Sequence, residues 1–139
     1  VLAYSVAIET GDRNERILAR FQRARVYVAQ KRWRAAASDF SEVVAYESDW
    51  RKAQSGLAWS FHQQGKNERA LAHALAAVQL APSDYYAWDT LGRILLELDN
   101  FPDAISAFRE ALQEDPKHQK SFWYLMENHG FPLYNFDRA

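Results

Sequence analysis

The sequence has no cysteine, one methionine, four prolines and five glycines in 139 residues. Without cysteine there are no disulfides and no thiolate metal ligands, and the compartment stays open. The glycines are scattered, so no glycine-rich phosphate loop exists. No apolar run approaches the roughly 18–20 residues that a membrane span needs. Neither charge dominates: 17 Lys and Arg stand against 18 Asp and Glu. Net charge therefore gives no pull toward nucleic acid or an anionic membrane. The four histidines are His62, His73, His118 and His129, and none forms the i, i+4 pair of a helical zinc site. No nucleophile motif surrounds any serine. The sequence predicts no enzyme activity, no cofactor and no metal.

What it does contain is a period of 34 residues. Small residues recur at Ala24, Ala58 and Gly92, and at Ala36, Ala70 and Ala104. Large apolar residues recur at Tyr27, Phe61 and Leu95, and at Val44, Val78 and Leu112. Turn-type residues align as Ser48, Pro82 and Pro116. Such a period signals stacked units, each unable to bury its apolar face alone. Helical spacing predicts helices over 16–29, 34–47, 50–63, 68–80, about 85–98, a segment opened by Pro102, and 118–129. Ser48 or Asp49, Asn67, and Ser83 or Asp84 are the expected N-caps, and Gly65 and Gly130 the stops. No strand pattern competes.

The stretch Trp88, Leu91, Gly92, Leu95, Ala104, Phe108, Ala111 and Pro116 resembles a tetratricopeptide repeat. The preceding unit matches at Leu57, Ala58, Phe61, Gly65, Ala70, Ala77 and Pro82, and departs at Gln54 and Ala74. The first matches at Ala24, Tyr27, Ala36 and Phe40, and departs at Arg20, Arg23 and Ser48. The resemblance implies an all-α fold, a right-handed α-solenoid of antiparallel helix pairs. The expected units are 17–50, 51–84 and 85–118. Residues 1–16 read as the second helix of a preceding partial repeat plus a linker, and 119–139 as a partial repeat or capping helix. Both ends read as cut from a longer array, leaving Val1 to Ile8 and Phe131, Leu133, Tyr134 and Phe136 as apolar ends that favour self-association.

In that family the first helices of successive units line a concave surface. The rows implied there are Arg25, Trp59, Arg93 and Glu127; Phe21, Ser55, Asp89 and Trp123; and Leu18, Lys52, Tyr86 and Lys120. A tryptophan between two arginines suggests cation–π stacking, and Trp, Tyr and Arg are enriched in binding hot spots. The expected partner-binding groove comprises Phe21, Arg25, Lys52, Trp59, Tyr86, Asp89, Arg93 and Trp123. The lysine, asparagine and arginine clamp that grips chaperone C-termini in one branch of the family is not reproduced, since only Arg25 is basic at its five places. No recurring code for reading RNA bases appears either.

Charge is segregated along the chain. Residues 12–34 carry eight Lys and Arg against Asp12 and Glu15, whereas 84–115 carry eight acids against Arg93 and Arg109. Two functions follow as expectations. The first is a protein-interaction scaffold that binds a peptide or protein partner on its concave face and performs no catalysis. The second is a self-assembly or spacer segment of a larger enzyme or secretion protein, with basic ends meeting acidic ones. The plainer reading of the charge runs is solvated helix faces.

Overall fold

A computed structural model describes residues 2–130. They form eight α-helices: α1 Leu2–Thr10, α2 Arg13–Ala29, α3 Trp33–Tyr46, α4 Arg51–Gln63, α5 Asn67–Leu80, α6 Tyr85–Glu97, α7 Phe101–Glu114 and α8 Gln119–Asn128. A single 3₁₀ turn, Pro116–His118, leads into α8. The described residues contain no strand. Helices α2 and α3, α4 and α5, and α6 and α7 pack as pairs, and each pair rests on the next. This is the α-solenoid of antiparallel pairs that the 34-residue period predicts. The apolar residues Phe131, Leu133, Tyr134 and Phe136, and Val1, lie outside the described residues.

The small-residue registers are where helices meet. Ala24, Ala58, Ala36, Ala70 and Ala104 are fully buried. Gly92 is buried as well, and a Cβ there would collide with the ring of Phe108. Gly56 stands in the same relation to Phe40. These two glycines are therefore packing devices, admitting a ring where any side chain would exclude it. Phe108 goes on to stack on Phe122 of α8, with centroids 4.4 Å apart. Burying such a ring stabilises by roughly 1.5–3 kcal/mol, so it anchors α8 to the third pair.

The turns inside each pair repeat as faithfully as the core. Lys31, Gly65 and Asp99 lie 34 residues apart and all have left-handed backbones, with φ of 58°, 76° and 59°. The next amide in each case reaches back to a helix carbonyl: Arg32 to Tyr27, Lys66 to Phe61 and Asn100 to Leu95, at 2.8–2.9 Å. This satisfies carbonyls that the helix end would leave open.

Two cap expectations need correction. Helix α4 is entered through Trp50, with no side-chain cap from Ser48 or Asp49. Asn67 is the first residue of α5 rather than its cap, and its Oδ1 bonds His62 Nδ1 at 2.6 Å. Asp84 caps α6 as expected, accepting from the Tyr86 amide. Asp12, which the sequence reading passed over, caps α2 by accepting from the Glu15 amide at 2.8 Å. That cap starts α2 one turn earlier than the apolar pattern does.

Candidate functional site

Helices α2, α4 and α6 lie side by side, α4 touching both others. Between α2 and α4 sits a cavity of about 370 Å³, whose walls include Phe21, Arg25, Lys52 and Trp59. Four of the eight residues expected in a groove thus surround one space. Val28, Phe40 and Gly56 complete it. The floor is apolar, and Arg25 and Lys52 are exposed cations at its rim. Such a space accepts an apolar side chain and favours an anion beside it.

The individual contacts differ from the expected arginine–tryptophan–arginine ladder. Arg25 lies over the ring of Phe21, Cζ 5.9 Å from its centroid. Trp59, half-buried, faces His62 at 5.4 Å between centroids. Arg93 is held by Asp89, Nε to Oδ1 at 2.8 Å, within a single helix turn. The reason is reach: an i, i+4 carboxylate is nearer to Arg93 than an indole one repeat away. Phe21 is also more enclosed than a groove residue need be. It is buried, stacks on Trp50 at 4.4 Å and meets Phe40 edge-on at 5.9 Å. Tyr86 is the open member, 74% exposed. Trp123 packs against the core from α8. Tyr86, Asp89, Arg93 and Trp123 do not line the cavity between α2 and α4.

The sequence reading missed a polar seam between the paired helices. Asp39 on α3 is 2% exposed. It accepts from Arg23 Nε at 2.6 Å and from a terminal Arg23 nitrogen at 2.7 Å, and Arg20 stands 3.6 Å away. Arg23 also donates to Ser5 Oγ of α1 at 3.2 Å. Thus Arg20 and Arg23, the basic departures from the repeat pattern, face a compensating acid. In the second unit Gln54 and His73 occupy the matching places and bond at 2.8 Å. In the third the matching residues are Trp88 and Ala107. The available signal was Asp39 itself, a charge set within the apolar stripe of α3.

The Asp39 hydrogen bond raises the pKa of Arg23, and burial and neighbours shift three further groups. Burial lowers the pKa of His73, and the nearby Arg69 lowers it further. For His129 burial opposes the charge, but bonds to the Leu125 carbonyl and to Glu97 outweigh it and raise the pKa. The Tyr85 hydroxyl is pushed up to about 12, chiefly by burial and then by Asp89. Among the described residues no group of three His, Asp or Glu is placed to hold a metal ion. No helix there is long and apolar enough to cross a membrane.

Comparison with known families gives the same register. One tetratricopeptide-repeat model matches residues 21–85, and a second matches 85–118. The chain belongs to the tetratricopeptide repeat family. A curated relative, human general transcription factor 3C polypeptide 3, is 36% identical over 69 residues. That segment is 50% of this chain and 8% of the human protein. Among solved structures, MamA superposes with a TM-score of 0.85 at 15% identity, covering 97% of this chain and 81% of that one. The first tetratricopeptide repeat domain of Spaghetti (RPAP3), bound to the HSP90 peptide SRMEEVD, gives 0.74 at 14% identity, covering 82% and 93%. The Sgt2 tetratricopeptide repeat domain of Aspergillus fumigatus gives 0.73 at 15%, covering 88% and 82%. At these identities the structural likeness concerns the fold.

Proposed function

We propose that this tetratricopeptide repeat segment is a protein-interaction module that takes a partner peptide along α2, α4 and α6, its concave face. The observation that carries this reading is the cavity between α2 and α4. It combines an apolar floor with the cations Arg25 and Lys52 and the half-buried Trp59. A fitting partner presents an apolar side chain to the floor and an acidic residue to Arg25 or Lys52. Tyr86, Arg93 and Trp123 extend the contact along the array. The peptide-bound RPAP3 domain supports the module's general role, since its fold is shared. In this reading the segment does no catalysis.

The test uses pull-downs from source-organism lysate with wild type and Trp59→Ala side by side. The captured partner is then titrated against both forms. Loss of the tryptophan weakens binding by about 2 kcal/mol or more, as for a central hot spot, with helicity intact. Arg25→Glu slows association and flattens its salt dependence. Equal capture by both forms removes the concave-face reading.

A further inference from the structure

The arginines of α2 divide into two faces. Arg25 belongs to the cavity described above. Arg13, Arg16, Arg20 and Arg23 recur at three- and four-residue steps on the side of the helix turned away from Phe21 and Arg25. Arg23 is engaged by Asp39 and Ser5. The other three line a narrow cleft of about 70 Å³ between α2 and α3, together with Ile17, Glu42 and Tyr46. Arg13 Cζ lies over the Tyr46 ring, 4.6 Å from its centroid. Arg20 leans toward Asp39 at 3.6 Å. Arg16 and Glu42 form no ion pair among the described residues.

We infer that this cleft binds a single oxyanion, a phosphomonoester or carboxylate carried by a partner polypeptide. Three arginines line it against one wall carboxylate, Arg20 being shared with Asp39, so the cleft is cationic. Contact with the Tyr46 ring restrains Arg13 beside the cleft. Planar guanidinium forks match carboxylate and phosphate oxygens in pairs. Buried Ile17 forms an apolar wall, which strengthens the attraction relative to open solvent. Size sets the ligand class. The cleft is narrow, about 70 Å³, which suits a small anionic group at the end of a side chain. Nearby Asp12 and Glu15 are exposed and acidic, which disfavours the repeating phosphates of a nucleic acid and favours one anionic side chain.

The inference is independent of the concave-face reading, because the two sites sit on different faces of α2. The test follows the arginine Nε–Hε signals of the full chain by NMR. Inorganic phosphate, a short phosphoserine peptide, the same peptide with glutamate, and a single-stranded oligonucleotide are added separately at constant ionic strength. Saturable shifts at Arg13 and Arg16 are expected with phosphate and with at least one peptide. The phosphoserine and glutamate arms identify which anion is preferred. Arg16→Gln weakens that binding about tenfold, through loss of a charge-assisted hydrogen bond. Arg13→Gln with Arg16→Gln removes it, while Trp59→Ala leaves it unchanged. Circular dichroism checks that the variants keep their helices. Non-saturating shifts spread over all exposed arginines overturn the site. So does tighter binding of the oligonucleotide than of either peptide, or binding indifferent to the double variant.

Discussion

Gln54 and Trp88, one repeat apart, donate the same hydrogen bond. Gln54 Nε2 reaches the Ser48 carbonyl at 2.8 Å, and Trp88 Nε1 reaches the Pro82 carbonyl at 2.7 Å. Both acceptors lie six residues upstream, in the loop that enters the first helix of a unit. The amide thus replaces the indole at its most specific contact, and His73 completes the smaller side chain's surroundings.

Gln54→Leu should therefore destabilise the fold, although leucine is more apolar. It leaves the Ser48 carbonyl and His73 Nδ1 without their buried partner, at about 1–3 kcal/mol. Adding His73→Ala should recover part of this, because both members of one bond are then gone. Urea unfolding of the two variants measures it. An unchanged midpoint for Gln54→Leu means that water serves the loop carbonyl as well as the glutamine does.

This pair shows which parts of the fold the sequence exposes. The period, the helix order and the small residues at the crossings are legible, because equivalent places in successive units obey one packing rule. Comparison down the 34-residue rows flags Arg20, Arg23 and Gln54 as departures. It does not show that Asp39 and His73 stand opposite them, because that relation runs across a helix pair. The groove is legible in residue type only. Alignment sets Arg25, Trp59 and Arg93 in a row, but local partners decide where each side chain lies. Asp89 takes Arg93, and Phe21 lies under Arg25. The Arg13–Tyr46 contact joins different helices and leaves no periodic trace.

The Asp39–Arg23 pair gives the sharpest stability test. Asp39→Ala strands Arg23, and in part Arg20, in a mostly buried setting. Breaking such a pair from one side costs about 3–5 kcal/mol. The double variant Arg23→Leu, Asp39→Ala installs the leucine and alanine that the third unit carries at Leu91 and Ala107. It should regain most of the loss. Thermal melts of the three proteins form the cycle, and a double variant no more stable than Asp39→Ala contradicts the compensation.

Lys31 and Asp99 hold left-handed backbones that Gly65 adopts at the equivalent turn. The left-handed region costs a side-chain-bearing residue roughly 1–2 kcal/mol, partly offset by the greater unfolded freedom of glycine. Lys31→Gly and Asp99→Gly should each stabilise by about 0.5–1 kcal/mol, and additively, since they lie two repeats apart. Denaturant midpoints that fall for both would show that the side chains contribute more than the backbone geometry costs.

His73 and His129 should tilt the pH dependence of stability in opposite directions. The unfolded pKa of each is about 6.5. His73 is lowered by burial and by Arg69, so unfolded chains bind its proton first as the solution is acidified. Its contribution is complete above about pH 6.5 and is lost as pH falls below that, toward the folded value. His129 is raised, because its two nitrogens face the Leu125 carbonyl at 2.9 Å and a Glu97 carboxylate oxygen at 3.1 Å. Both partners are acceptors, so the doubly protonated ring fits them best. Its contribution is present below about pH 6.5 and is lost as pH rises through the folded value. Melting temperatures should therefore decline less on acidification in His73→Gln than in wild type. In His129→Gln they should decline less on moving from about pH 6 to pH 8. Glu97→Gln should reproduce the second effect in part, by removing the carboxylate that favours the imidazolium. Parallel pH profiles for wild type and His129→Gln would mean that the link between the ends of α6 and α8 does not select the charged ring.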